Sequence, residues 1–203
     1  MEKQLHDLGF DIFLETSFQS LNENLKKILI ELYPTREFHN KKFFLMGSSG
    51  DQIWKRVKNI NAPHRLDSYT TDCIKKIFPA ISSSDILYPT KSNVHFPILS
   101  VAQDLGFCHP TPIGIHINQN YGLWFSFRAV LVTEMINNVE ELSSFRSLEK
   151  SLSPCDNCMD KPCAKENEFW NSRSACPVKK ELRYEQEFID YLKQEIILTI
   201  KSS

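Results

Sequence analysis

Apolar positions in this chain recur with two periods, and the places where one period gives way to the other mark out the elements. Gly9 to Leu14 alternates well enough for a first strand, and Ser20-Leu21-Asn22-Glu23 has the form of a capping box. Leu21, Leu25, Ile28, Leu29 and Leu32 then fall at helical spacing until Pro34 stops the run. Phe43 to Met46 reads as a buried strand, and Gly47, Ser48, Ser49 and Gly50 lead from it into a helix carrying Ile53, Trp54 and Val57. Such a loop is a plain turn or, less specifically, a place where backbone N–H groups meet a phosphate; it lacks the Lys-Ser/Thr pair of a P-loop. A helix is expected from Ser68 to Phe78, ended by Pro79, and a short strand from Asp85 to Tyr88. After a polar loop between Pro89 and Pro97, in which His95 reads as a ligand or a surface histidine, a helix runs from Ile98 to Leu105 with Gly106 in the C-cap place. Residues 136 to 153 turn to Asn, Glu, Ser and Lys and read as a linker or loose helix. From Tyr184 to Ile200, Phe188, Tyr191, Leu192, Ile196 and Ile200 again fall at helical intervals. Helices gathered around a mixed sheet give an α+β three-layer sandwich.

The most β-prone and aromatic stretch, residues 113 to 134, organises the rest. Two runs of branched and aromatic residues flank Gln119, Asn120, Tyr121 and Gly122, which predicts two strands meeting at a turn. In the second run Trp124, Ser126 and Arg128 share one face, and Leu123, Phe125, Phe127 and Ala129 the other. A guanidinium among apolar neighbours needs a carboxylate, a phosphate or an aromatic face, and a nearby Asp or Glu in a structural ion pair is the plainest solution for Arg128.

Composition narrows the function classes. With 41% hydrophobic and 24% charged residues in 203, the chain has the make-up of a globular domain. A formal net charge of −1 leaves no basic footprint for nucleic acid. No apolar run is long enough to span a bilayer, and the first residues lack the regions of a secretory signal, so the expected compartment is the cytoplasm, with no membrane partner.

Thiols stay reduced there, and the six cysteines are read accordingly. Cys73 and Cys108 suit a core, while Cys108, His109 and His116 fit no ligand spacing. Cys155, Cys158, Cys163 and Cys176 are different. A Cys-x-x-Cys pair turns two sulfurs toward one ion, and two further thiolates complete the coordination of zinc or of an iron-sulfur cluster. The final Cys176-Pro177 resembles bacterial ferredoxin runs and favours a 4Fe-4S cluster, whereas the long last gap suits zinc; a redox disulfide and unrelated free thiols are the remaining readings.

Gly114-Ile115-His116-Ile117-Asn118-Gln119-Asn120-Tyr121-Gly122-Leu123-Trp124-Phe125-Ser126-Phe127-Arg128 resembles the signature of the CblC cobalamin-processing proteins, which belong with epoxyqueuosine reductase and the reductive dehalogenases. One departure is Asn118-Gln119 where the family has His-Pro. Trp170-x-x-Arg173 and Arg183-Tyr184-x-Glu-Gln are similar to patterns near that family's C-terminus, which lacks the cysteines. The resemblance implies a flavin-nitroreductase-like fold, with a cobalamin-binding core over residues 1–150 and a packed C-terminal helix over 181–203, between which the cysteines themselves mark a metal-binding segment over 151–180. It implies that His116, Ile117, Tyr121, Gly122, Trp124, Phe125 and Trp170 line the corrinoid site, with Trp124 and Phe125 walling the corrin or its tail. Arg128, Arg173 and Arg183 would form the catalytic cavity, where three guanidiniums select carboxylates or phosphates of a donor through forked bonds; for Arg173 and Arg183 the bland alternative is a solvated surface position. The function so implied is removal of a corrinoid's upper ligand or reduction of its cobalt, on cobalamin held base-off, with glutathione or FMN as reductant. An FMN oxidoreductase without cobalamin and a non-catalytic corrinoid or metal carrier are the alternatives, and a homodimer is an allowed assembly.

Overall fold

The computed structural model describes residues 2–62, 64–89, 95–134, 152–159 and 161–202, with side chains to Glu195. The reading of 136 to 153 as a linker or loose helix falls almost wholly outside these residues, as do most of the polar loop after Pro89 and the side chains of Ile196 and Ile200.

Four strands form one sheet in the order β1 (Ile12–Ser17), β2 (Lys41–Ser49), β6 (Phe125–Glu134) and β3 (Ile86–Leu87). Every pairing in it is antiparallel, so among the described residues the sheet is not the mixed one expected from sequence. Period-2 patterning sets which side chains share a face but carries no strand direction. A separate two-stranded ribbon joins β4 (His109–Pro110) to β5 (His116–Ile117). The first half of the 113 to 134 stretch therefore leaves the main sheet, and its turn is closed by the Asn118–Gly122 bridge, with Asn118 Oδ1 accepting the Asn120 and Tyr121 N–H groups.

Each face of the sheet is covered by apolar residues. On one, Phe44, Met46, Ala129 and Leu131 pack with Leu5 of α1 (Glu2–Asp7), Trp54 and Val57 of α3 (Trp54–Val57), Leu66, Cys73 and Ile74 of α4 (Arg65–Ile77), and Phe188, Ile189 and Tyr191 of α7 (Gln186–Ser202). On the other, Phe43, Leu45, Phe125, Phe127, Val130 and Val132 pack with Leu25 and Leu29 of α2 (Glu23–Leu32) and with Ile98, Val101 and Ala102 of α5 (Ile98–Asp104). Helices on both sides of one sheet make the α+β three-layer arrangement.

Several boundaries move for identifiable reasons. Asn22, not Ser20, caps α2 by accepting the Leu25 N–H at 3.0 Å, because Ser20 ends a 3₁₀ turn over Phe18–Ser20 that Ser17 caps. Gly47, Ser48 and Ser49 continue β2, and Ser49 gives both its N–H and its hydroxyl to the Asp11 carboxylate. No N–H of Ser49 is left for a phosphate. The helix α1 escapes sequence reading because only Leu5 is buried in it, too little for a period.

The feature that shapes the site is a β-bulge. Met46 pairs with Ala129 and Gly47 with Phe127, which leaves Arg128 as the extra residue of β6. Before the bulge Phe125 and Phe127 face α2 and α5; after it Ala129 and Leu131 face α4 and α7. Ala129 thus moves off the face that strict alternation gives it. Gly47 is required opposite the bulge, since a Cβ there would stand 2.8 Å from the Ser126 carbonyl oxygen.

Candidate functional site

Between the bulge and the α7 helix a buried cluster of rings and polar atoms gathers on Arg128, the Arg128 chamber. Trp124 is fully buried at its wall, with the Tyr184 ring edge-on at 5.4 Å. Tyr184 continues to Phe188 at 4.7 Å, Phe188 stacks on Trp54 at 5.0 Å, and Trp54 on Tyr191 at 5.3 Å. Arg65 closes the far end over Tyr191 and Trp54. Six buried polar atoms along this wall have no hydrogen-bond partner among the described residues: Trp54 Nε1, Trp124 Nε1, Ser126 Oγ, Arg128 Nε, Tyr184 Oη and Tyr191 Oη. Buried polar atoms without partners cost about 1–3 kcal/mol each, so a polar group that reached them would be stabilised there.

Arg128 makes no ion pair within 4.0 Å among the described residues, and the carboxylate that acts on it is that of Asp67 on α4. Burial pushes its pKa down, while Tyr184, Asp67 and Tyr191 favour the charged form and the like charge of Arg173 opposes it. Its side chain therefore belongs to the α4 and α7 side of the sheet, with Trp124 and away from Phe125 and Phe127.

Arg173 is placed by α6 (Phe169–Ala175), whose N-terminus Glu168 caps by accepting the Asn171 N–H at 3.2 Å. Only 8% exposed, it donates through Nε and Nη2 to the Leu123 carbonyl at 3.1 and 2.5 Å. Its guanidinium lies over the rings of Tyr184, Trp124 and Trp170 at 4.6, 4.8 and 5.4 Å. Arg173 is thus a buried clamp, not a solvated side chain. Arg183 is exposed.

The corrinoid-lining candidates divide between two places. Trp124 and Trp170 border the chamber, whereas Phe125 sits on the opposite face against Phe107, together with the half-buried Tyr121. Trp124 and Phe125 therefore do not wall one surface, because adjacent strand residues point to opposite faces. His116 bonds Gln103 at 3.0 Å, and burial, with His109 beside it, pushes its pKa down. Ile117 and Leu123 instead pack with Cys163 and Cys176, and the half-buried Cys155, Val178, Ile113 and Ile115 complete that cluster.

All four motif cysteines are free thiols in this one neighbourhood. Cys155 and Cys158 lie in a turn closed by the Cys158 N–H on the Cys155 carbonyl at 3.3 Å, and Cys163 lies in a 3₁₀ turn over Pro162–Lys165. Burial pushes the Cys155 thiol up, with Cys163 and Cys158 adding to it; Cys176 is raised by burial, with Cys163, Cys155 and Cys158 adding. The thiols act on one another electrostatically, yet among the described residues no three ligands stand close enough together to hold an ion as placed. The donor set itself suits a soft metal: four thiols, an apolar shell and mutual repulsion of the thiolates that a cation would relieve.

Tyr184, Trp54 and Tyr191 were not legible as site residues. Helical periodicity marks Trp54 and Tyr191 as core and Tyr184 entered only through the Arg183-Tyr184-x-Glu-Gln pattern, and their convergence on one cluster depends on long-range packing that leaves no local signal. Compared with protein-family models and with curated proteins, the chain finds no match. Among the described residues no helix is long and apolar enough to cross a membrane.

Proposed function

We propose that this chain is a corrinoid-processing reductase of CblC-like, nitroreductase-related fold, in which a four-cysteine metal centre adjoins the chamber of Arg128. The observation that carries it is the shared wall: the Leu123 side chain packs on Cys163 and Cys176, while its successor Trp124 walls the chamber. A 4Fe-4S cluster held by Cys155, Cys158, Cys163 and Cys176 would supply single electrons, with zinc the alternative occupant. The chain's own residues wall the site with Trp124, Tyr184 and Phe188, and present Arg128, whose Nε has no hydrogen-bond partner among the described residues. Arg128 orients the carboxylate or phosphate of a reductant such as glutathione or FMN, since a charge-assisted fork is the strongest contact available to it there. On this reading the corrinoid is held base-off; His116 bonds Gln103 through Nε2 and its Nδ1 has no partner among the described residues.

Two substitutions test this reading. Cys158→Ser should lower metal content per chain sharply and loosen residues 153 to 178, whose apolar core is small; metal near one site per chain in the variant would argue against a shared centre. Arg128→Gln should leave cobalamin affinity unchanged while turnover with glutathione or reduced FMN falls roughly tenfold to a hundredfold, the equivalent of about 1.5–3 kcal/mol. Turnover that survives the substitution makes Arg128 a structural residue.

A further inference from the structure

We infer that the Tyr184 hydroxyl is a second ligand-binding group beside Arg128, and that Asp51 is the residue that positions it. The inference rests on the proposed function for its ligand, a reductant carrying a carboxylate or phosphate, and not on a metal. Arg128 Nε, Trp124 Nε1, Ser126 Oγ and Tyr184 Oη are buried without a partner among the described residues. The first two only donate, and both hydroxyls are able to. A ligand group that satisfies them together has to accept several hydrogen bonds at once, as a carboxylate or phosphate does. Tyr184 enters this cluster beside the start of α7, with its ring against Trp124 at 5.4 Å and Phe188 at 4.7 Å. It also leads the side chains that favour the charged form of Arg128.

The corner after β2 holds both members of the Trp124–Tyr184 pair through their backbone. Gly50, at φ +48°, donates its N–H to the Trp124 carbonyl at 2.7 Å. Asp51 takes the Glu185 N–H on both carboxylate oxygens, at 3.0 and 3.2 Å, and so fixes the residue that follows Tyr184. Burial pushes the Asp51 pKa up; the Glu185 N–H lowers it, the Glu185 carboxylate raises it, and Lys55 and Lys58 lower it. A carboxyl raised on folding lowers stability above its folded pKa, and that cost disappears as the pH falls below its unfolded value. The bond from Glu185 thus places the start of α7 at a site where the charge itself is unfavourable to the fold.

The test uses the full chain, anaerobically, with glutathione and FMN as probes in separate titrations, read by thermal midpoints and by affinity for whichever binds more tightly. Tyr184→Phe keeps the ring and removes a hydroxyl that has no partner, so its midpoint without ligand should match or exceed that of the native sequence. Its affinity for the probe should fall about tenfold, as for one lost hydrogen bond to a charged group. Asp51→Ala should lose affinity in the native background and lose none further in the Tyr184→Phe background, because it acts through the hydroxyl. Asp51→Asn, which still accepts the Glu185 N–H, should recover most of the loss. Unchanged affinity in Tyr184→Phe, or a midpoint that falls, overturns the inference and leaves the reading of Arg128 standing. Losses that add in the double variant overturn the positioning role of Asp51. A native midpoint that neither probe moves removes the donor reading and this inference together.

Discussion

Gly122→Ala should detach the cysteine segment from the body of the protein. Gly122 adopts φ +59°, and a Cβ there would stand 2.3 Å from the Val178 carbonyl oxygen, two residues beyond Cys176. The left-handed conformation costs an L side chain about 1–2 kcal/mol, and forcing apart a packed contact adds about 1–3 kcal/mol. Because the obstacle is backbone, no side-chain rotation relieves it. Val178 and the neighbouring Cys176 must move, and with them the Leu123 contact that joins centre to chamber. Amide exchange over 174 to 180 should accelerate and metal content should fall, while protection in β2 and β6 persists. Unchanged metal content in a folded Gly122→Ala variant would show that the turn does not seat the fourth cysteine.

Trp124→Ala should produce the largest loss of global stability among chamber substitutions, about 3–5 kcal/mol. The indole is 0% exposed and touches both Arg173 and Tyr184. Its removal leaves a cavity and takes one ring from a buried cation already short of partners. Trp124→Phe keeps a ring face and removes only an Nε1–H that has no partner, so it should cost far less. Denaturant midpoints of the two variants decide this; equal losses would mean that the indole N–H, and not the ring, is what the fold requires.

The difference between what the pattern of residues discloses and what it conceals is visible in β6. Alternation alone puts Trp124, Ser126 and Arg128 on one face, and that face is the chamber side. The bulge that carries Ala129 to the same side is set by Gly47 on the neighbouring strand, and nothing local in β6 announces it. The helices α2, α4, α5 and α7 were readable because each buries a stripe at helical spacing. Strand direction was not, since it depends on how connections cross the sheet. The cysteines were the most legible chemistry, because a Cys-x-x-Cys pair with two further thiols in reach is rare enough to stand on spacing alone. Arg173 shows the limit: its residue type and its place in the family-like pattern suggested a ligand for a donor, but the fork it presents is spent on Leu123. Arg128 Nε, by contrast, is buried without a partner among the described residues.

The claim on which the rest depends is that the chamber receives a corrinoid, and a visible-absorbance titration addresses it directly. Anaerobically purified protein is added to methylcobalamin or cyanocobalamin at fixed concentration. The bands should shift to those of the base-off form and saturate at one corrinoid per chain. A spectrum that stays superimposable on free cobalamin throughout the titration, with FMN fluorescence quenched by the same protein, would contradict the corrinoid reading and leave a flavin oxidoreductase in its place.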